Sequence, residues 1–237
     1  MPPEAQRPRV AAIIPVLDEE GALGAVLAAM PADAVDVVIV VDGGSRDRTV
    51  DVAQAHGAVV VVQQRRGYGA ACAEGAAEAR RQGAGLLAFL DGDGGDDPRE
   101  IPVLLAPLLD GSSDFVIGSR TRGVRERGSM GPHQVLAGRA IGALTGLLYG
   151  VRYTDMAALR AIGADTLDRL GLREMTYGWN LEMQMRAAQL GLRIREIPVS
   201  HARRIAGRSK VAGTLRGTLK AGSRIIATFW RVARSPR

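Results

Sequence analysis

The chain has 237 residues, of which 46% are hydrophobic, so it can bury a sizeable core as one domain or slightly more. Its single cysteine excludes an internal disulfide framework and favours a reducing, cytoplasmic setting. The longest uncharged apolar run, about residues 140–151, is shorter than the roughly 20 residues that span a bilayer, and residues 1–9 lack the apolar segment of a signal peptide.

The net charge of +6 hides an asymmetry between the two halves of the chain. Residues 1–120 carry 10 Lys and Arg against 18 Asp and Glu (net −8), whereas residues 121–237 carry 21 against 7 (net +14). An acidic half that can hold a cation and a basic half that can hold anions together suit a substrate that carries phosphates. A chance imbalance on solvated faces is the simpler alternative.

Strands and helices are predicted to alternate through the first half. Five short apolar runs predict buried strands: residues 10–16, 35–41, 58–63, 86–90 and 114–118. Helical periodicity or a glycine stop predicts helices between them. The alternation predicts an α/β fold in which helices cover both faces of a mostly parallel sheet.

Polar residues follow every predicted strand of this half: Glu19, Asp42, Arg65, Asp91, Asp93 and Arg120. Ligands of such sheets bind beyond the carboxyl ends of the strands. We therefore expect these side chains to converge on one site, and this convergence is stronger evidence than any single motif.

The stretch from Leu86 to Pro98 holds the densest group of carboxylates, four aspartates within seven residues after a buried strand. Asp91 and Asp93 stand two positions apart just past the strand end, where both can turn toward one hard cation such as Mg²⁺ or Mn²⁺. Asp96 and Asp97 have a simpler explanation, because Asp97 can cap a helix that begins near Pro98. Capping does not explain Asp91 and Asp93, which we predict to be metal ligands.

The pattern changes after Arg120. Residues 121–131 predict a loop, Val151 a short strand and residues 193–198 a final strand, with helices over 133–149, 180–190 and 214–233. The last helix has an apolar face and a basic face, and the apolar one carries Leu215, Leu219, Ile226, Phe229 and Trp230.

Several segments resemble, in order and spacing, the motifs of the inverting family 2 glycosyltransferases with the GT-A fold, particularly the dolichol-phosphate mannose synthase-like branch. Residues 14–20 resemble "IPxxNE", residues 41–45 "VDDGS" with Gly43 for the second Asp, residues 65–71 "KxGxGxA", and residues 91–93 "DxD". Residues 118–120 resemble "GSR", residues 155–160 "DxxxxFR" with Leu159 for the aromatic, and residues 207–210 "GxSK".

The resemblance implies transfer of a sugar from a UDP- or GDP-linked donor, with Mg²⁺ or Mn²⁺ held by Asp91 and Asp93. Asp42 would accept hydrogen bonds from the N–H groups of uracil or guanine. The other implied donor-binding residues are Pro15, Leu17, Glu19, Arg65, Gly67, Gly92, Arg120, Arg204, Arg208 and Lys210. If the acceptor is a hydroxyl, a carboxylate must take its proton, for which we select Asp155 first and Glu182 second; a phosphate acceptor needs no base.

The branch also implies that the acceptor is a polyprenyl phosphate at a membrane surface. We expect residues 1–120 to form the nucleotide-sugar-binding half, 121–212 the acceptor-side half of the same domain, and 213–237 a basic amphipathic helix. That helix would lie on the inner face of the membrane, pack on the domain or make a homodimer contact, and these alternatives stay open.

Four other functions compete with this interpretation. A soluble small-molecule acceptor and a sugar-phosphate nucleotidyltransferase both suit the paired aspartates. A Rossmann-type oxidoreductase is disfavoured because Gly67 and Gly69 follow the acid Asp42 instead of preceding it. A basic membrane- or nucleic-acid-binding module is disfavoured because it leaves the polar residues at the strand ends unexplained, and the chain has only nine aromatic residues for base stacking.

Overall fold

The computed structural model describes residues 7–207 and 215–235, without the side chains of residues 215–220. Its strands are β1 (Val10–Val16), β2 (Val37–Asp42), β3 (Val59–Val62), β4 (Leu86–Phe89), β5 (Phe115–Ser119), β6 (Arg160–Gly163) and β7 (Ile194–Pro198). Its helices are α1 (Glu20–Ala28), α2 (Thr49–Ala55), α3 (Tyr68–Arg81), α4 (Ile101–Leu109), α5 (Pro132–Tyr149), α6 (Ala164–Arg169), α7 (Trp179–Gln189) and α8 (Leu215–Ala233).

The strands form one sheet in the order β3-β2-β1-β4-β6-β5-β7. All neighbouring strands are parallel except β6, which runs antiparallel to both β4 and β5. The chain winds from β1 toward β3 and then returns to place β4 on the other side of β1. This reversal between β1 and β4 leaves a crevice at the carboxyl ends of the two strands, where ligands of open α/β sheets bind.

Alternate residues of the strands point to two separate apolar layers. Ile13, Ile39 and Phe89 pack with α3 and with Met183 of α7 on one face. Neighbouring strand positions such as Ile14 pack with α1 and α4 on the other face. The predicted α/β fold, with a mostly parallel sheet covered on both sides, is confirmed.

Strand β6 is the main element that the sequence analysis missed. The predicted strand at Val151 is wrong, because Val151 lies in an irregular segment that leads to Arg160. The Arg160 side chain is fully buried, and its guanidinium donates to the carbonyl oxygens of Ala157 (Nε, 3.1 Å) and Asn180 (Nη1, 3.2 Å). These carbonyls satisfy a charged side chain at a position where hydropathy alone argues against a central strand.

Helix α8 packs on α7 through an apolar contact and a buried polar one. Phe229 and Val232 pack against Leu181 of α7. Beside them Arg231 Nη1 lies 2.8 Å from an oxygen of Glu182, which is fully buried. The predicted apolar face of the helix is therefore divided, since Phe229 is buried while Ile226 and Trp230 stay exposed; the side chains of Leu215 and Leu219 lie outside the described residues.

The Arg231–Glu182 pair predicts how stability depends on pH. Burial raises the pKa of Glu182, but hydrogen bonds from Arg231 and from the backbone of Glu174 and Arg173 lower it to a net value below the usual range. A carboxylate with a lowered pKa contributes stability above its unfolded pKa of about 4.3, and loses that contribution as the pH falls toward its folded pKa.

We expect Arg231→Met to lower the free energy of unfolding at pH 7 by on the order of 2 kcal/mol, because it leaves Glu182 buried without its guanidinium. The difference from wild type should shrink below about pH 4.3, where the carboxyl is protonated in the unfolded state. Urea unfolding at pH 7 and below about pH 4.3 measures the difference in the free energy of unfolding. Arg234→Met is the control, since Arg234 is exposed and stacks on Trp230 at 5.5 Å, so its effect should be smaller and independent of pH. A pH-independent loss in Arg231→Met would contradict the assignment.

Candidate active site

A cleft of about 680 Å³ opens at the carboxyl ends of β1, β2 and β4. Its volume lies within the range of small-molecule sites. Nine of the predicted site residues line it: Pro15, Leu17, Glu19, Gly67, Asp91, Gly92, Asp93, Arg120 and Arg204. Two others, Arg208 and Lys210, lie outside the residues that the structure describes.

The loop after β1 is fixed to the loop after β2. Asp18 takes a positive φ of 50°, and its backbone N–H donates to Ser45 Oγ (2.9 Å). The backbone N–H of Glu19 donates to Thr49 Oγ1 (2.8 Å). Since side chains of one loop satisfy the backbone of the other, both loops keep a defined shape along the cleft.

Asp42, the residue predicted to bind the base, lies at the end of β2. Its carboxylate accepts hydrogen bonds from the backbone N–H groups of Gly44 (3.0 Å) and Ser45 (3.2 Å) and from the Ser45 hydroxyl. Asp42 is also 96% buried and does not line the cleft, whereas the neighbouring Gly43 does. Asp42 therefore shapes the turn after β2, and its contact with the N–H groups of a base stays a prediction.

The predicted donor-binding residue Arg65 lies next to a residue that lines the cleft. Arg66, the next residue along the chain, lines the cleft, while Arg65 lies beside a separate surface depression near Glu74. Gly67 then approaches the backbone of Met175 so closely that a Cβ would stand 2.2 Å from its carbonyl oxygen. The glycine thus lets α3 start directly against this backbone, where Ala70 N donates to the same oxygen (2.9 Å).

Three aspartates crowd the end of β4. The backbone N–H of Asp91 donates to Asp96 Oδ2 (3.3 Å), and Asp93 Oδ1 accepts from the backbone N–H of Gly95 (2.8 Å). Burial raises the pKa of Asp91 to about 8, with further contributions from the charges of Asp96 and Asp93. Burial is the largest cause, so the charged form of Asp91 is unfavourable here, and a cation bound beside it would favour that form.

The same aspartates fit a hard divalent ion. In the described part of the chain no three Asp, Glu, His or Cys side chains converge closely enough to hold a metal by themselves. Mg²⁺ commonly binds through one or two carboxylates and completes its shell with water and substrate phosphates. Asp91 and Asp93 meet that smaller requirement at the edge of the cleft.

Arg204 lies between two acidic residues that also line the cleft. Its Nη2 lies 2.8 Å from Glu19 Oε1 and 3.0 Å from Asp93 Oδ2. The following residue is fixed as well, because Ile205 N donates to the carbonyl oxygen of Asp93 (2.9 Å). A guanidinium from the basic half of the chain is thereby positioned between carboxylates of the acidic half.

Arg120 and Asp155 form a bidentate pair. Arg120 donates from Nε to Asp155 Oδ2 and from Nη2 to Oδ1, both at 2.8 Å. Burial raises the pKa of Asp155, but the hydrogen bonds and charge of Arg120 lower it more strongly, so the net pKa is below its ordinary value. Asp155 is nearly buried and does not line the cleft. Asp155 thus holds Arg120 in place, and its role as a base stays a prediction.

Glu182, the second candidate base, lies between α7 and α8. It is fully buried and does not line the cleft. One oxygen accepts backbone N–H groups of Arg173 (2.9 Å) and Glu174 (2.6 Å), and the other accepts Arg231. Through these contacts the carboxylate joins α7 to α8, outside the lining of the cleft.

The lining of the cleft also includes residues that the sequence analysis did not assign to the site. They come from α3, α5, α7, α8 and the segments before β6 and α7: Tyr68, Gln134, Met156, Ala158, Tyr177, Asn180, Ala221 and Ile225. Tyr177 could have been found, since an aromatic residue before a helix suggests either packing or sugar stacking. The others are ordinary helix and loop residues, and only the tertiary fold brings them to the cleft.

Comparison with known proteins shows the family of the chain. The family model described as glycosyl transferase family 2 matches residues 11–165. An uncharacterised glycosyltransferase of Mycobacterium tuberculosis is 37% identical over 227 residues, covering 94% of this chain and 97% of the relative. The undecaprenyl-phosphate mannosyltransferase of Micrococcus luteus is 32% identical over 221 residues, covering 88% and 90%.

Among solved structures, glucosyl-3-phosphoglycerate synthase from M. tuberculosis in complex with phosphoglyceric acid aligns with a TM-score of 0.76 and 25% identity, covering 98% of this chain and 82% of that one. The same enzyme in complex with Mn²⁺ and UDP-glucose aligns with a TM-score of 0.73 and 25% identity, covering 98% and 81%. These structures match the GT-A fold expected from the motifs. The chain belongs to glycosyltransferase family 2.

Proposed function

We propose that this glycosyltransferase moves a sugar from a UDP- or GDP-linked donor to the phosphate of a polyprenyl phosphate, with a divalent ion and with inversion at the anomeric carbon. The observation that supports it most is the charge arrangement of the cleft. Asp91 and Asp93 stand at one edge, and Arg66, Arg120 and Arg204 line the same space.

The donor part of the proposal follows from these charges. Departure of a nucleoside diphosphate leaves negative charge on its phosphates. Asp91 and Asp93 would hold Mg²⁺ or Mn²⁺, which when bound offsets that charge. Arg66, Arg120 and Arg204 would contact the phosphate oxygens, for which a guanidinium provides a fork of N–H donors. The relative of known structure that binds Mn²⁺ and UDP-glucose supports this part.

The acceptor part is supported by the contacts of the two carboxylates that were predicted as bases. Asp155 is paired with Arg120, and Glu182 lies under α8. An oxygen of a phosphate monoester is already anionic, so it attacks the anomeric carbon without losing a proton. The bond from that carbon to the diphosphate oxygen breaks as the new carbon–oxygen bond forms on the opposite face. The diphosphate leaves with the bonding electrons.

A soluble phosphorylated acceptor is the second candidate. It is supported by the solved relative that binds phosphoglyceric acid. The lipid acceptor is supported by the Micrococcus relative, which is more similar in sequence and is named for undecaprenyl phosphate. Both acceptors present a phosphate, so the same cleft charges suit either.

Donor and acceptor panels test the function directly. Purified protein is incubated with UDP- and GDP-sugars and with Mg²⁺ or Mn²⁺, and release of UDP or GDP is measured with undecaprenyl phosphate or phosphoglycerate as acceptor. We expect release that depends on the lipid phosphate, and NMR of the product should show inverted anomeric configuration. Turnover with phosphoglycerate alone would favour the second candidate, and retained configuration would contradict the mechanism.

Removal of the Asp93 carboxylate should abolish most of the activity. We expect Asp93→Ala to lower kcat/KM by at least about 100-fold, because a metal ligand is lost while the fold remains. EDTA should inactivate the wild type, and added Mn²⁺ should restore it.

Asp97→Ala is the matched control in the same loop. Asp97 caps the helical turn at Pro98 by accepting from Arg99 N (3.0 Å) and does not line the cleft, so its loss should cost stability but little activity. If Asp93→Ala keeps full activity and EDTA has no effect, the metal assignment is wrong.

The Arg120–Asp155 pair should behave as one unit in kinetics. We expect Asp155→Asn to lower kcat/KM by roughly 10- to 100-fold, because Arg120 loses the charged partner that orients it. The Arg120→Gln/Asp155→Asn double variant should cost no more than the worse single change.

The pH profile separates positioning from base catalysis. Asp155→Asn should leave the pH dependence of kcat/KM unchanged, whereas loss of a base would remove its acidic limb. Asp114→Asn is the control, because Asp114 makes a similar pair with Arg193 (2.6 Å) away from the cleft and should leave activity unchanged. Additive losses in the double variant would overturn the positioning role.

A further inference from the structure

Helix α5 presents an apolar face to solvent. Four of its leucines are exposed: Leu136 (70%), Leu144 (45%), Leu147 (83%) and Leu148 (40%). Alanines 137, 140 and 143 are exposed between them, and Arg139 is the one charged residue of the helix. A single exposed leucine needs no explanation, but several on one helix mark an interaction surface.

Helix α8 also exposes apolar side chains. Ile226 is 61% exposed and Trp230 is 54% exposed. The two helices lie on the same side of the molecule, because Ile141 of α5 and Ile225 of α8 pack against one apolar cluster on α7. At the carboxyl end of α7, Gln189 Nε2 lies 3.3 Å from the Tyr149 hydroxyl of α5 and 3.1 Å from the Val232 carbonyl oxygen of α8.

We name the exposed side chains Leu136, Leu144, Leu147, Leu148, Ile226 and Trp230 the α5–α8 surface. It lies beside the active-site cleft, since Gln134 of α5 and Ala221 and Ile225 of α8 line that cleft. A partner that covers this surface would therefore sit at the entrance to the site.

The charge of these segments indicates what that partner is. Residues 132–154 and 215–235 contain no aspartate or glutamate. Exposed arginines accompany the apolar side chains: Arg139, Arg152, Arg224 and Arg234. A second copy of the chain docked through the same surface would oppose like charges, whereas an anionic bilayer offers both apolar depth and negative headgroups.

We propose that the α5–α8 surface docks onto an anionic lipid bilayer, with its leucines and Trp230 in the interfacial layer and its arginines at the headgroups. Trp230 suits that depth, because its ring is apolar and its N–H is polar. Docking adds a membrane partner to the proposed function, and the link between docking and catalysis rests on that function. It places the cleft entrance at the bilayer, where a polyprenyl phosphate presents its headgroup.

Flotation of the full-length protein with lipid vesicles tests the proposal. We expect the wild type to float with vesicles of phosphatidylcholine and phosphatidylglycerol at low salt, and much less with phosphatidylcholine alone or at high salt. The double variant Leu136→Gln/Leu147→Gln should lower the partition coefficient at least about tenfold, since two aliphatic side chains no longer enter the interfacial layer.

Val62→Gln/Val103→Gln is the matched control. Val62 and Val103 are 67% and 53% exposed and lie on β3 and α4, away from the α5–α8 surface, so this variant should float like the wild type. Circular dichroism and thermal unfolding establish that both variants are folded. If the double variant does not fold, Leu136→Gln alone replaces it. The expected decrease in the partition coefficient is then smaller.

Two results would overturn the proposal. One is a wild-type protein that stays at the bottom with anionic vesicles at low salt. The other is a stable dimer in solution that the leucine substitutions dissociate, because the surface would then be a contact between copies. Nucleotide release in the absence of vesicles reports the proposed function separately, so vesicle binding without release would count against the function and leave the docking surface intact.

Discussion

The site depends on carboxylates that the fold brings together in a poorly solvated place. Asp91 is held close to Asp96 and Asp93, and burial together with their charges raises its pKa to about 8. Such a group is unfavourable unless positive charge approaches it. Arg204 supplies part of that charge and comes from the basic half of the chain, so the charge asymmetry of the sequence becomes a direct contact at the cleft.

The same principle places the rest of the site. Arg120 is held by both oxygens of Asp155, and Arg204 by Glu19 as well as Asp93. Each guanidinium is thus positioned before a substrate arrives, which reduces the cost of ordering it during the reaction. Ala221 and Ile225 of α8 line the cleft as well. Because Arg231 of α8 pairs with Glu182 of α7, this pair helps to hold α8 beside the cleft.

Much of this was predictable from local sequence. Apolar runs with polar residues at their carboxyl ends predict the parallel strands, the crevice and the aspartates, because those features depend on nearby residues. Roles that depend on distant partners were not predictable. Asp155 and Arg120 are 35 residues apart and Glu182 and Arg231 are 49 apart, so their pairing appears only in the fold. The role of Asp42 could not be decided from the sequence either, because a carboxylate after a strand can bind a ligand or accept hydrogen bonds within a turn.

The position of β6 has a consequence for how the chain becomes folded. Strands β4 and β5 follow one another in sequence but do not pair, and β6, which begins 41 residues after β5 ends, lies between them. Until β6 arrives, β4 has an open edge that can pair with another chain, and β5 is not connected to the nucleotide-side strands. The edge of β4 therefore stays unpaired until β6 has been synthesised and has paired with it.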